Sequence, residues 1–213
     1  VKRLLPALVC ALGLAPAANA ADAAGVLASL EAAGRSLKTM QAGFVETKVV
    51  VLLEETSVQK GTVYLQVPGR FRWNYETPQP SAVLIRDGQF FRYFPRSKQV
   101  FKGKAKGEAD LLVGFGPGAA GLGQKYKVTL AGEEKVGAAT AHVLDLAPRP
   151  EQSSVFSAIR LYVDKVRHIP VQTRLTEPTG DHTTIRFEDV VVNGALPKDA
   201  FDLKLPRDVV EVQ

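Results

Sequence analysis

Residues Gly61 to Pro95 read GTVYLQVPGRFRWNYETPQPSAVLIRDGQFFRYFP. Gly61, Val63, Leu65 and Val67 alternate with Thr62, Tyr64 and Gln66, the period of two that marks a strand with one apolar face. Pro68-Gly69 turns the chain. Phe71, Trp73 and Tyr75 then alternate with Arg70, Arg72 and Asn74. Residues of one parity share a face, so three rings stand in a row while two guanidinium groups point the other way. Thr77-Pro78-Gln79-Pro80 is a second turn, Val83 and Ile85 sit on the next strand, and Asp87-Gly88 is a hairpin signal before the return through Phe90 to Phe94. Such a row of aromatic side chains fits two uses. It packs the core of a sandwich or barrel, or it lines a concave sheet face that holds an apolar ligand.

The same alternation recurs on both sides. Phe94 to Phe101 continues the meander through a turn at Pro95-Arg96-Ser97. Further on come Tyr126 to Leu130, Ala141 to Leu146, Phe156 to Val163, Val171 to Leu175 and Thr183 to Val192, the last closed by Asn193-Gly194. With the strand at Gln41 to Leu53 and its turn at Glu54 to Ser57, the chain holds about ten strands and no crossover helices. A mainly β, antiparallel sheet follows.

The N-terminus has another character. Lys2 and Arg3 precede an apolar run, Leu4 to Leu14, and Ala18-Asn19-Ala20 supplies an A-x-A site. This pattern predicts a secretory signal peptide over residues 1–20 and one domain over 21–213. The sole cysteine, Cys10, lies in the run, preceded by Val9 rather than by the small residue a lipoprotein signal requires. The formal charge of the whole chain, +5, is too diffuse for a nucleic-acid binder. Asp22 to Met40 reads as a helix with Asp22 as its cap; Val26, Leu30, Ala33, Leu37 and Met40 form one stripe, interrupted by Gly34. Between the two strand-rich halves, Asp110 to Phe115 (DLLVGF) is short, apolar and flanked by glycines. Leu111, Leu112 and Phe115 are expected to share one helical face, and the glycines suit an element that moves. Arg96, Lys98, Lys102, Lys104 and Lys106 form a basic run, read as a solvated loop or as a docking patch for an acidic partner.

Several of these segments are similar to the LolA family, periplasmic carriers of lipoproteins to the outer membrane. Pro68-Gly69-Arg70-Phe71-Arg72-Trp73-Asn74-Tyr75, then Pro78, then Ile85-Arg86-Asp87-Gly88 and Tyr93 resemble the family's central motif. Met40 to Thr47 resembles its first strand, with Glu46 where the family often has Gln. Phe201 to Pro206 and Val209 to Val212 resemble its tail. The resemblance implies an α+β, open antiparallel half-barrel of about ten to eleven strands, with helices covering the concave face and the segment around Leu111 serving as a lid. It implies a hydrophobic cavity lined by Val63, Leu65, Phe71, Trp73, Tyr75, Val83, Ile85, Leu111, Leu112 and Phe115, no cofactor, and a monomer. The implied partners are an acylated lipoprotein or lipid cargo, an inner-membrane ABC-type release complex as donor and a LolB-like outer-membrane acceptor. One position departs from the pattern. Val67 stands where the family commonly has an arginine associated with holding the lid closed. That departure keeps a second reading open, a carrier of another lipid or a glycolipid. A third reading is a periplasmic lipoprotein sensor like the RseB-like proteins, which carry an extra C-terminal domain.

Catalytic signatures do not assemble. His142, His168 and His182 match no zinc spacing. No G-x-S-x-G elbow is present. Glu54-Glu55 and Glu133-Glu134 are read as sitting in turns, where solvated charge is expected. The sequence is therefore read as a non-enzymatic carrier.

Overall fold

The computed structural model describes residues 17–105, 113–152 and 154–212, with side chains from Asp22 onward. Helix α1 spans Ala17–Ser36. Six strands follow: β1 Thr39–Val50, β2 Glu55–Gln66, β3 Arg70–Thr77, β4 Ser81–Arg86, β5 Gln89–Phe94 and β6 Gln99–Lys104. A 3-10 turn at Gly116–Ala119 and the single-turn helix α2, Leu122–Lys125, lead into β7 Tyr126–Val136, β8 Ala139–Pro148, β9 Ala158–Asp164, β10 Pro170–Thr176 and β11 His182–Val192. Strand β12, Val210–Val212, comes last.

Among the described residues these form one open, curved sheet of twelve strands, ordered β12-β6-β5-β4-β3-β2-β1-β11-β10-β9-β8-β7. Two antiparallel meanders, β1 to β6 and β7 to β11, meet where β1 pairs with β11. The pairing puts β6 and β7 far apart in the strand order, with residues 105–125 between them. The described part of this crossing segment, Val113 to Lys125, packs over the inner face beside α1.

The inner face is where the core sits. Met40, Ala42 and Phe44 of β1 join Val63 and Leu65 of β2, Phe71 and Trp73 of β3, Val83 of β4, and Leu144, Leu161, Leu175, Ile185 and Phe187 of β8 to β11. From above, α1 adds Ala23 and Leu30, and the crossing segment adds Val113, Phe115, Ala119 and Leu122. Full burial of a side chain such as Leu30 is worth about 1.5–3 kcal/mol.

The helix is tied to the sheet at its C-terminal end by one residue. Asn193 takes a positive φ just past β11. Its Oδ1 accepts from the Lys38 N–H at 2.7 Å, its Nδ2 donates to the Ser36 carbonyl at 3.3 Å, and its own N–H donates to the Thr39 carbonyl at 2.8 Å. One asparagine thus satisfies orphan groups of the helix end and of the first strand together.

Local differences from the sequence reading have physical causes. The helix stops at Ser36 instead of Met40; Thr39 and Met40 open β1, because pairing with Gln66 and Leu65 gives their backbone groups ladder partners. The helix runs from Ala17, so Asp22 lies inside it and is not its cap. Strand β1 ends at Val50, and Val51–Leu53 form a 3-10 turn closed by Glu54 in the left-handed region. Leu52 in that turn is 90% exposed. Strand β7 does not stop at Leu130 but passes through a bulge between Leu130 and Gly132 to Val136. Strand β12 is parallel to β6, the exception in an otherwise antiparallel sheet.

The C-terminal tail covers the outer face. Phe201 packs with Leu84, Tyr64 and Phe91. Arg72 Nη1 donates to the Asp202 carbonyl at 2.7 Å, and Arg86 Nη1 to the Phe201 carbonyl at 3.3 Å. The basic run meets this tail as well: Lys98 pairs with Asp208, and Lys102 with Glu211. Part of the acidic partner of that run is therefore the chain's own end.

Gly61 is required by packing. A Cβ there would lie 1.8 Å from the Asn74 carbonyl oxygen and 3.0 Å from the Phe44 ring. Gly69 has a positive φ, but no atom lies within 4 Å of its would-be Cβ. Gly61→Ala is expected to destabilise the protein by about 4 kcal/mol or more. Gly69→Ala is expected to cost only about 1 kcal/mol, from backbone strain. Urea denaturation of the two variants checks the ranking.

Candidate functional site

The alternation of β3 carries the site. Phe71, Trp73 and Tyr75 face inward together and meet rings from other elements. Trp73 lies 4.5 Å from Phe44, 5.7 Å from Phe71, 6.3 Å from Tyr75 and 6.2 Å from Phe187, centroid to centroid. Phe44 meets Tyr75 edge-on at 5.3 Å. Trp73 is 3% exposed, and its Nε1 has no hydrogen-bond partner among the described residues.

The crossing segment closes over this cluster. Phe115, 2% exposed, sits edge-on to Phe187 at 5.0 Å, so a ring from the cover completes the aromatic cluster of the floor. Two further contacts seat the cover. At α1, a Cβ on Gly34 would lie 2.7 Å from Ala119 Cβ and 2.8 Å from the Gly116 carbonyl oxygen. The glycine that interrupts the helix stripe is thus the place where the helix and the cover touch backbone to backbone. At β2, a Cβ on Gly116 would lie 3.2 Å from Val67 Cγ2 and 3.7 Å from Leu65 Cδ2. Val67 therefore faces the cover through an apolar contact, at the position where a family arginine was expected to make polar ones.

At the other end of the aromatic row the lining turns polar. Tyr75 Oη donates to Glu46 Oε2 at 3.1 Å. Burial pushes the Glu46 carboxyl above its usual range, opposed by the Tyr75 hydrogen bond and by the charges of Lys48 and Arg92. Burial, together with the neighbouring Glu46 charge, also raises the Tyr75 phenol. Beside this end lies a crevice of about 270 Å³ bounded by Gln59, Pro78, Arg92 and Phe94.

The residues singled out from sequence divide as follows. Val63, Leu65, Phe71, Trp73, Val83 and Phe115 are buried in one cluster, with Tyr75 and Ile85 half-buried against it. Leu111 and Leu112 lie outside the described residues. The helical face expected for Leu111 to Phe115 is not formed at its described end: Val113 to Phe115 are irregular, Phe115 is extended, and Gly116 opens a 3-10 turn with Pro117 next. Phe44, Glu46, Phe187 and Gly34 were missed as site residues. Strand alternation through Ile185 and Phe187 would have found one of them; the others required knowing which strands are neighbours.

A curved, open sheet with an apolar, aromatic inner face under a helix and a glycine-seated cover defines a protein that encloses its interior without sealing it by strand closure. The chain belongs to the LolA family: residues 35–204 match the family model described as outer membrane lipoprotein carrier protein LolA. It is similar to an outer-membrane lipoprotein carrier protein of Chromobacterium violaceum, 29% identical over 98% of this chain and 97% of the relative. The relative from Helicobacter hepaticus with the same description is 22% identical over 87% of this chain and 89% of its own. Among solved structures, an uncharacterised conserved protein from Thermus thermophilus superposes with a TM-score of 0.58 at 16% identity, covering 90% of this chain and 98% of that one. MucB superposes with the same TM-score at 21% identity, covering 86% of this chain and 63% of MucB. The family is one of carriers, and among the described residues no helix is long and apolar enough to cross a membrane.

Glu46→Gln tests the polar end. A carboxyl whose folded value is raised contributes stability below its unfolded value and loses it as pH rises through the folded one. Glutamine keeps an acceptor for Tyr75 and removes the charge. The variant is expected to be more stable than the parent above the raised range, with the difference vanishing below the ordinary glutamate value of 4.5. Thermal melts across pH check this; a constant difference at all pH would exclude the charge as its cause.

Proposed function

We propose that this protein is a periplasmic carrier that takes the acyl chains of a lipoprotein between the inner face and the cover and delivers them to the outer membrane. The observation that carries the reading is Phe115, a cover residue seated on Phe187 in the floor's aromatic cluster. Moving the cover removes a ring from the site and leaves an apolar place for a chain. The residues expected to line it are Val63, Leu65, Phe71, Trp73, Tyr75, Val83, Ile85 and Phe115. The family description and the relatives' names support lipoprotein as cargo. An inner-membrane ABC-type complex as donor and a LolB-like acceptor complete the proposed route.

The energetics require such a device. Each buried methylene is worth about 0.8 kcal/mol, so a chain of about 16 carbons costs roughly 12 kcal/mol to expose to water. A carrier must offset that cost and still release its load. A cover that refills the site with its own side chains lowers the net affinity, because the ligand has to displace Phe115.

Val67 favours a second reading, a LolA-like carrier of another lipid. Polar bonds from an arginine would hold the cover by about 1.5–3 kcal/mol each; the Val67 contact has none. The RseB-like reading, a sensor of lipoprotein, is separated from both by what co-purifies: a partner protein instead of lipoprotein or free lipid.

Trp73, the sole tryptophan, reports on the site. Its emission is expected to shift with saturating lipopeptide; unchanged emission together with free acrylamide quenching would remove the site assignment. Hydrogen exchange at Val113 to Ala119 is expected to be faster than at Thr62 to Leu65, and to slow with ligand. Val67→Arg is expected to favour the closed form and weaken lipopeptide binding, tenfold for each 1.4 kcal/mol of shift in the opening equilibrium. Equal affinity and equal cover distances between spin labels would show that position 67 does not set closure.

A further inference from the structure

The buried indole N–H of Trp73 is anomalous. A buried donor without an acceptor costs about 1–3 kcal/mol, yet Nε1 lies in an aromatic cluster with no partner among the described residues. Phenylalanine would fill an aromatic core position without that cost. Among the described residues none offers Nε1 an acceptor, and a molecule that enters the cluster would supply one. What enters has to be apolar around its polar atom, because the Trp73 ring packs against Phe44, Phe71 and Phe187, and Phe115 packs on Phe187. It has to present an acceptor, because Nε1 only donates.

The carbonyl of an acyl ester or amide meets both conditions. It joins a hydrocarbon tail to a polar head, and its oxygen accepts one hydrogen bond. The floor continues in matching order. Next along β3 is Tyr75, its ring 6.3 Å from Trp73, hydrogen-bonded to Glu46, with Arg92 and Lys48 contributing charge. The tail end of the row is apolar, the middle offers one donor, and the far end is polar. We infer that Trp73 Nε1 donates to the first carbonyl of an acyl ester or amide, with the hydrocarbon toward Phe71 and Phe115 and the head toward Glu46. The site then selects acylated molecules over ether-linked or plain hydrocarbon ones. This rests on the proposed carrier reading and narrows its ligand class.

A matched pair of ligands tests it: monodecanoylglycerol, an ester, and decylglycerol, its ether counterpart without the carbonyl. Isothermal titration of the full chain is expected to give about tenfold tighter binding of the ester, the worth of about one neutral hydrogen bond. In Trp73→Phe the ester-over-ether preference is expected to fall to about one, whatever the change in absolute affinity. A second measurement needs no variant. The single indole N–H resonance of the parent, observed by nitrogen-15 NMR, is expected to move downfield with the ester and not with the ether. Equal affinity of the parent for both ligands, with the indole resonance unmoved, overturns the inference and leaves the carrier reading standing. An equal loss for both ligands in Trp73→Phe assigns the indole to packing alone and likewise overturns it. Failure of the parent to bind either ligand overturns both.

Discussion

The pairing of β1 with β11 is the constraint from which the rest of the structure follows. It joins the first strand to the last long one, Met40 opposite Val192 and Phe44 opposite Phe187, and so places two meanders side by side with their free ends outward. The link between β6 and β7 then has no short path. Its described part, Val113 to Lys125, lies over the inner face and becomes the cover. Sheet and cover therefore follow from one topological choice. The same register sets Phe187 near Trp73 and leaves it open to Phe115, so the aromatic cluster depends on the seam as much as on β3.

Closure of the cover is held by shape rather than by charge. Gly34 lets the helix and the cover approach where a Cβ would collide, and Gly116 sits close against Val67, which adds an apolar face. Such contacts fall off steeply once surfaces part, because dispersion needs near contact. The seat therefore favours two states, down or away, with little stabilisation between. The polar end of the row differs: Glu46 and Tyr75 hold each other across strands by a hydrogen bond that involves no residue of the cover.

Much of the sheet was legible in the sequence because alternation is local. Phe71, Trp73 and Tyr75 announce their shared face within five residues, and the turns at Pro68-Gly69 and Asp87-Gly88 bound the strands. What was not legible depends on distance along the chain. Asn193 reaches back across 155 residues to Lys38, between α1 and β1. Strand β12 lies parallel to β6, and parallel pairing leaves no hairpin to read. The cover has no periodicity, since glycine allows many paths and the contacts at Gly34, Leu65 and Val67 select one. Gly34 itself read as a defect in a helix stripe; its purpose is visible only beside Ala119.

The strand order also makes the first meander depend on distant residues. Strands β1 to β6 can pair among themselves, but the outer edge of β1 is covered by β11 and that of β6 by β12. An unpaired edge recruits other chains. A chain cut before His182 would lack both covering strands, and the aromatic floor would lack Phe187. Loss of residues from that side therefore bares pairing edges while every strand of the first meander is still present, and association between molecules is its first consequence.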